Sequence, residues 1–198
     1  MMRRLASFFL MFFFVSAFLS AENGQIKNSR ISVSGGIYFM QNDVFKQVYG
    51  DSAWIFCGEY SYRIPFLLKE HIEMGFECRF LSDRGKLTVT KESVDLTISD
   101  FTLSLRYLFD LNKIILFLGP GVDYRFYKEK YPSPFPVNSV EGSVFGFSFL
   151  GGCYFDLFSS FGFKLCAQYS YAKPEEGDGK ADIGGIGIKA GLVYQFDF

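Results

Sequence analysis

Polar and apolar residues alternate with period two over most of the chain, and the alternation recurs eight times. It predicts strands over 30–40, 53–64, 70–81, 98–109, 113–127, 143–156, 161–172 and 183–198. In the second stretch Trp54, Phe56, Gly58, Tyr60 and Tyr62 share one face, and Ile55, Cys57, Glu59, Ser61 and Arg63 the other. In the third, Ile72, Met74, Phe76, Cys78 and Phe80 alternate with Glu73, Gly75, Glu77 and Arg79. In the fourth, Phe101, Leu103, Leu105, Tyr107 and Phe109 alternate with Thr102, Ser104 and Arg106. In the seventh, Phe163, Leu165, Ala167, Tyr169 and Tyr171 alternate with Lys164, Cys166, Gln168 and Ser170. One face is apolar and aromatic; the other is small, polar or charged.

Alternation alone also suits a soluble sandwich. The connections sharpen it, because they alternate in length. Long ones cover 41–52, 82–97, 128–142 and 173–182; short ones cover 65–69, 110–112 and 157–160. Short turns at one end and long loops at the other are the rhythm of outer-membrane barrels, and Greek-key crossovers give no such rhythm. Each stretch reaches the roughly 9–11 residues a tilted membrane strand needs. The expected fold is therefore all-β, an eight-stranded antiparallel up-and-down transmembrane β-barrel. Leu87, Val89, Val94 and Leu96 keep some alternation inside the second long connection, which points to strands prolonged above the membrane.

The N-terminus changes the picture of where the chain goes. Arg3 and Arg4 precede an apolar run from Leu5 to Leu19, and Ser20 and Ala21 come just before Glu22. This is the layout of a secretory signal peptide with cleavage after Ala21. The run is shorter than the roughly 20 residues of a membrane helix. The expected organisation is a signal peptide over 1–21, a short segment over 22–29 and the barrel over 30–198. No later segment is long and apolar enough for a spanning helix, and lipid tolerates only helices and closed barrels.

A formal net charge of −1 gives no reason to expect nucleic acid. Four cysteines, Cys57, Cys78, Cys153 and Cys166, would suit disulfides in an exported chain. The strand faces place Cys57 and Cys166 on one side and Cys78 and Cys153 on the other, beyond bridging geometry, so four unpaired, buried thiols are expected. The single histidine, His71, leaves a metal site without ligands; no cofactor is expected.

If the apolar face meets lipid, the charges must point inward. Glu59, Glu73, Glu77, Arg79, Arg106, Asp123, Arg125, Lys164 and Lys189 would form a paired network in the lumen, because a lipid-facing Arg or Lys costs about 2–4 kcal/mol at mid-membrane. Eight strands enclose room for side chains alone, which argues against a diffusion pore. Trp54, Tyr124, Tyr169 and Tyr171 lie toward the long-loop end, and Tyr60, Tyr62 and Tyr107 toward the short-turn end, with Tyr194 and Phe196. Two such bands would be interface girdles.

The eight strands and loop rhythm resemble the OmpA-like outer-membrane β-barrel superfamily. Its glycine-rich fifth strand is similar to Phe117-Leu118-Gly119-Pro120-Gly121-Val122-Asp123-Tyr124, and its last-but-one hairpin to the stretch around Gly151, Gly152 and Cys153 followed by 163–171. Pro120 departs from that pattern and predicts a bulge or break, since it lacks a ladder donor. Lys189, Gly191, Tyr194 and Phe196 match the family's last-strand assembly signal, with Phe198 two residues beyond it. The resemblance implies insertion by the barrel-assembly machinery, outer-membrane lipid as surroundings, a monomer and a place in the outer membrane of a diderm bacterium. It implies a structural or surface-contact role, in adhesion or membrane integrity, for an external loop partner of unknown kind. An enzyme is not expected, because His71 lies at the short-turn end. Two alternatives share the pattern: a narrow ion or small-solute channel, and a soluble lipocalin-like barrel with the two faces exchanged.

Overall fold

A computed structural model describes residues 28–65, 67–87, 92–131, 139–158, 160–173 and 183–197. The signal peptide read over 1–21, most of the segment read over 22–29, the terminal Phe198, residues 132–138 of the loop read at 128–142 and residues 174–182 of the loop read at 173–182 lie outside these residues. Eight strands follow in order: β1 (Ser29–Met40), β2 (Ser52–Arg63), β3 (Ile72–Lys86), β4 (Ser93–Leu111), β5 (Ile114–Lys130), β6 (Ser139–Asp156), β7 (Phe161–Tyr171) and β8 (Gly185–Phe196). Each pairs antiparallel with its neighbours in sequence, and β8 closes on β1.

The faces follow the alternation. Val33, Trp54, Phe56, Phe145 and Leu192 are each about two-thirds or more exposed, whereas Glu59, Glu73, Arg106, Asp123 and Lys164 are within 3% of full burial. A water-soluble protein does not carry a continuous exposed apolar belt of this kind. The exchanged, lipocalin-like assignment of faces is thereby overturned.

Register sets the shape. Starting at Arg30 and crossing each ladder in turn leads through Ser61, Gly75, Ser104, Gly121, Ser148, Ser170 and Gly185 back to β1 at Met40. The circuit closes ten residues further along the strand, a shear of ten on eight strands. With about 3.3 Å of rise and about 4.8 Å between strands, that shear tilts the strands by about 40°. Every residue on this belt between Arg30 and Met40 is Ser or Gly.

Turn chemistry explains the short end. Asn112 takes a left-handed φ of 57° in the two-residue β4–β5 turn, a conformation Asn tolerates. A 3-10 turn at Leu68–Glu70 joins β2 to β3. Pro120 produces a break and not a bulge. The β4–β5 ladder skips two pairs between Ser104↔Gly121 and Tyr107↔Leu118 without changing register, while pairing to β6 runs unbroken through Pro120.

The long end differs from the sequence reading in two ways. A short helix, α1 (Asp43–Tyr49), lies within the first long connection. Strands β3 to β6 also outrun their neighbours, converting much of 82–97 and 128–142 from loop to sheet. β3 pairs with β2 only as far as Leu81, and β6 pairs with β7 only from Phe147. A four-stranded sheet therefore stands beyond the closed barrel.

Candidate functional site

The inward charges sort into three tiers. Nearest the short turns, Arg106 grips Glu59 with both terminal nitrogens, at 2.8 and 2.6 Å. Its Nη1 also meets Glu73 Oε1 at 3.4 Å and the Tyr154 hydroxyl at 3.0 Å. Lys164 Nζ reaches Glu59 Oε1 at 2.7 Å, and Arg30 pairs with Glu73. At mid-height Lys189 Nζ donates to both oxygens of Glu77 at 2.6 Å and to Gln168 Oε1 at 2.8 Å. In the third tier Asp100 lies between Arg79 and Arg125, with Arg125 Nη2 at 2.8 Å. Asp123 accepts from Thr102 Oγ1 at 2.8 Å and Ser148 Oγ at 2.9 Å. Stripping water from these ions costs several kcal/mol each. Only carboxylates and cations brought together from different strands offset that cost.

Sequence reading assigned Glu59, Glu73, Glu77, Arg79, Arg106, Asp123, Arg125, Lys164 and Lys189 to the interior, and the structure brings them together with Arg30 and Asp100, which that reading did not select. Asp100 follows Ser99 within what reads as the start of a strand; its inward parity with Thr102 and Arg106 was the available signal.

Both ends of the lumen are apolar, a feature the sequence reading missed. At the short-turn end Leu108, Ile115, Phe117, Leu150, Tyr154, Cys166 and Val193 form one buried cluster. At the other end Tyr38, Met40, Ile55, Leu81, Leu96 and Ile98 form another, against which Phe45 and Tyr49 of α1 pack. The two clusters also carry the tiers: Arg106 lies 5.2 Å over the Phe117 ring and Arg79 5.3 Å over Tyr38, distances at which cations are attracted to ring faces. The signal for the first cluster was the unbroken apolar run 114–118, where both strand faces are hydrophobic.

Helix α1 is tied down by one carboxylate. Tyr49 and Tyr131 donate their hydroxyls to Glu129 Oε1 and Oε2, both at 2.7 Å. Burial, then the bond to Glu129, pushes the Tyr131 phenol up to about 12 and shifts Tyr49 in the same direction.

On the outside, Trp54, Tyr60, Tyr107, Tyr169 and Tyr171 are exposed, and Tyr62 and Tyr124 are half-buried. At about 2.5 Å of climb per residue in a barrel of this tilt, the register puts Trp54, Tyr124 and Tyr171 about 20 Å above Tyr62, Tyr107 and Tyr194. Tyr60 and Tyr169 lie just inside those two levels. In β8, Lys189 points inward, Gly191 lies against the Val33 carbonyl, and Tyr194 packs 5.0 Å from Phe161. Phe196 departs from the girdle expected of it. It is 2% exposed, opposite Ser29 where β8 closes on β1 and stacked 6.0 Å from Tyr194, so the seam encloses it.

All four cysteines are free, Cys57 and Cys166 buried inside and Cys78 and Cys153 partly exposed outside, so the faces are those expected from the alternation and burial holds for the inward pair alone. His71 stacks 5.6 Å from Tyr107 at the short-turn end, its Nδ1 3.0 Å from the Leu108 carbonyl.

No protein-family model and no curated protein matches the chain. Solved structures do. Neisserial surface protein A aligns over 88% of this chain and all of its own, at 14% identity and a TM-score of 0.56. OprG from Pseudomonas aeruginosa aligns over 87% of this chain and 98% of its own, at 14% identity and 0.57. Ail, the attachment invasion locus protein of Yersinia pestis, in complex with the heparin analogue sucrose octasulfate, aligns over 86% of this chain and all of its own, at 16% and 0.53. The fold is thus that of the small outer-membrane β-barrels.

Proposed function

We propose that this chain is an integral outer-membrane protein of a diderm bacterium whose work is contact at the cell surface, with the barrel as a closed anchor. In this reading the long connections face outward and the short turns face the periplasm. Lys189, Gly191, Tyr194 and Phe196 serve the assembly machinery during insertion, and the finished barrel is a monomer in lipid.

One observation carries the surface role. Residues 139–146 of β6 pair with β5 on one side and with no strand on the other, among the described residues. Among the described residues, the ladder that these residues join is the one with β5. An edge of this length is a template for an added strand, the mode by which many domains capture an extended peptide. Natural proteins usually blunt such edges with proline or a bulge, and this one has neither.

The partner is not a second upright copy in the same membrane. Two such copies run their β6 strands in the same direction, so an in-register pair would set Glu141 against Glu141. The edge suits an extended segment from another molecule. Nor does the lumen favour transport: two apolar clusters bracket three tiers of paired charge, and an ion would have to cross both.

Carbonate washing of membranes tests the location; release of the protein would refute it. For contact, proline pairs are placed at 141 and 143 in one variant and at 140 and 142 in a second. One pair removes edge donors and the other removes donors to β5. Cells carrying the edge-blocked variant should lose adherence to the surface that wild-type cells bind, with barrel content unchanged. Equal adherence by both variants and wild type would sink the edge as the contact.

A further inference from the structure

The outer wall of β3 to β6 carries a groove of about 420 Å³. Phe80 and Phe126 stand on either side of Ser99, Thr97 and Ser143 lie above Ser99, and Lys128 and Glu141 stand at the top. The register places Lys128 about 10 Å above Phe80 along the axis, so the groove crosses from the apolar belt into the polar rim. The chemistry changes along the groove, from two phenyl rings about Ser99 below to hydroxyls and then charged groups above.

The net charge above the groove is positive. On the outward face of the standing sheet, Arg84, Lys86, Lys128 and Lys130 face Asp95 and Glu141, a surplus of two positive charges on a chain whose total is −1. Lys128 pairs with Glu141 at 2.5 Å, but their side chains are 44% and 66% exposed. A pair so exposed stabilises little, so Lys128 can exchange the carboxylate for a phosphate. Phosphate offers the ammonium a stronger, charge-assisted bond.

We infer that this groove seats a phosphorylated glycolipid of the outer leaflet, one acyl chain lying between Phe80 and Phe126 and a phosphate meeting Lys128. The inference rests on the orientation proposed above, with the long connections outside. The bare walls at Ser99 and Ser143, where flanking strands carry Phe, are what leave room for the chain. Tyr124 donates to Ser143 Oγ at 3.1 Å and fixes one side of the groove.

The test uses full-length protein in phosphatidylcholine nanodiscs containing bis-phosphorylated lipid A, with retained lipid A counted by native mass spectrometry. Lys128→Ala with Lys130→Ala removes the cations, and Ser99→Phe fills the floor from the lipid side. Lys46→Ala on α1 is the control. Retention should fall by about tenfold or more in the first two and stay at wild-type level in the control. Wild type should retain phosphate-free lipid A as poorly as the cation variant does. Wild-type retention by the double alanine variant, or equal retention of phosphate-free lipid A, overturns the site. Carbonate washing of the same preparations reads the membrane location separately, so a protein that stays embedded but retains no lipid A fails this inference alone.

Discussion

The lowest tier makes a quantitative prediction about which partner matters most. It holds three cations, Arg30, Arg106 and Lys164, against two carboxylates, Glu59 and Glu73, all buried. Replacing Arg106 by Met leaves two cations and two carboxylates. Glu59 keeps Lys164 at 2.7 Å, and Glu73 keeps Arg30 and the Tyr154 hydroxyl at 2.9 Å. Replacing Glu59 by Gln instead leaves three cations around one carboxylate. Removing one member of a buried pair without compensation costs about 3–5 kcal/mol. We expect Glu59→Gln to fall in that range. Arg106→Met should cost less, about 1–3 kcal/mol, mainly for hydrogen bonds lost to Glu59 and Tyr154. The double variant restores a surplus of one cation, so it should be more stable than Glu59→Gln alone by at least about 1 kcal/mol. Urea unfolding of barrels folded into lipid vesicles measures all three. Trp54, the chain's single tryptophan, is 68% exposed on the lipid-facing rim and reports departure from the bilayer. The reasoning fails if Arg106→Met costs as much as Glu59→Gln, or if the double variant is no better than the single.

Three further outcomes follow from particular contacts. A Cβ at Gly119 would overlap the Leu105 carbonyl oxygen and come within 2.8 Å of Arg106 Cα, whereas one at Gly58 meets nothing within 4 Å. Gly119→Ala should lower stability by about 1–3 kcal/mol, as overpacking does, and Gly58→Ala should not; equal urea midpoints would contradict this. A membrane-permeant maleimide should label Cys78 and Cys153 in the folded barrel, and Cys57 and Cys166 only after unfolding; early labelling of the latter pair would count against the inward assignment. Both phenols on Glu129 keep their protons longer in the folded chain, so their contribution is complete below the unfolded tyrosine pKa of about 10; that of Tyr131 is lost as pH rises through about 12, and that of Tyr49, raised further, erodes above about 10 and persists longer. Protease cleavage within α1 should therefore rise over that interval in step with phenolate absorbance, and constant protection would refute the clamp.

The barrel was legible because both of its rules are local. A period-two pattern declares the two faces, and loop length declares the two ends. What escaped the sequence lies where those rules overlap or stop. Ile115, Phe117 and Leu118 are all apolar, so parity cannot show that Phe117 turns inward to cap the lumen while Leu118 meets lipid. The helix at Asp43–Tyr49 spans two turns, too short for a periodic signal, and docks through Phe45 and Tyr49 onto strands distant in sequence. The alternation of Val94 and Leu96 did point to a prolonged strand, and β4 begins at Ser93; what escaped is the matching rise of β5 to Lys130 and of β6 from Ser139. Phe196 was assigned outward by parity, and burial at the β1–β8 seam overrides it.

The belt of small residues explains why a filled barrel and an outward-looking one are the same solution. A shear of ten tilts inward side chains across a narrow lumen, and long cations need space to cross it. Gly75 supplies that space for Arg106, whose Nη2 and Cζ lie 2.7 and 2.8 Å from where a Cβ would stand. Ser104, on the same belt, accepts from Arg106 Nε at 3.0 Å and so holds the guanidinium in line with Glu59. Small residues thus let the charges interlock, and an apolar cluster lies at either end of them. The edge at 139–146, which pairs with β5 alone among the described residues, and the groove below Lys128 both lie on strands that rise past the barrel. On the reading proposed here, specificity depends on the length by which β3 to β6 exceed their neighbours.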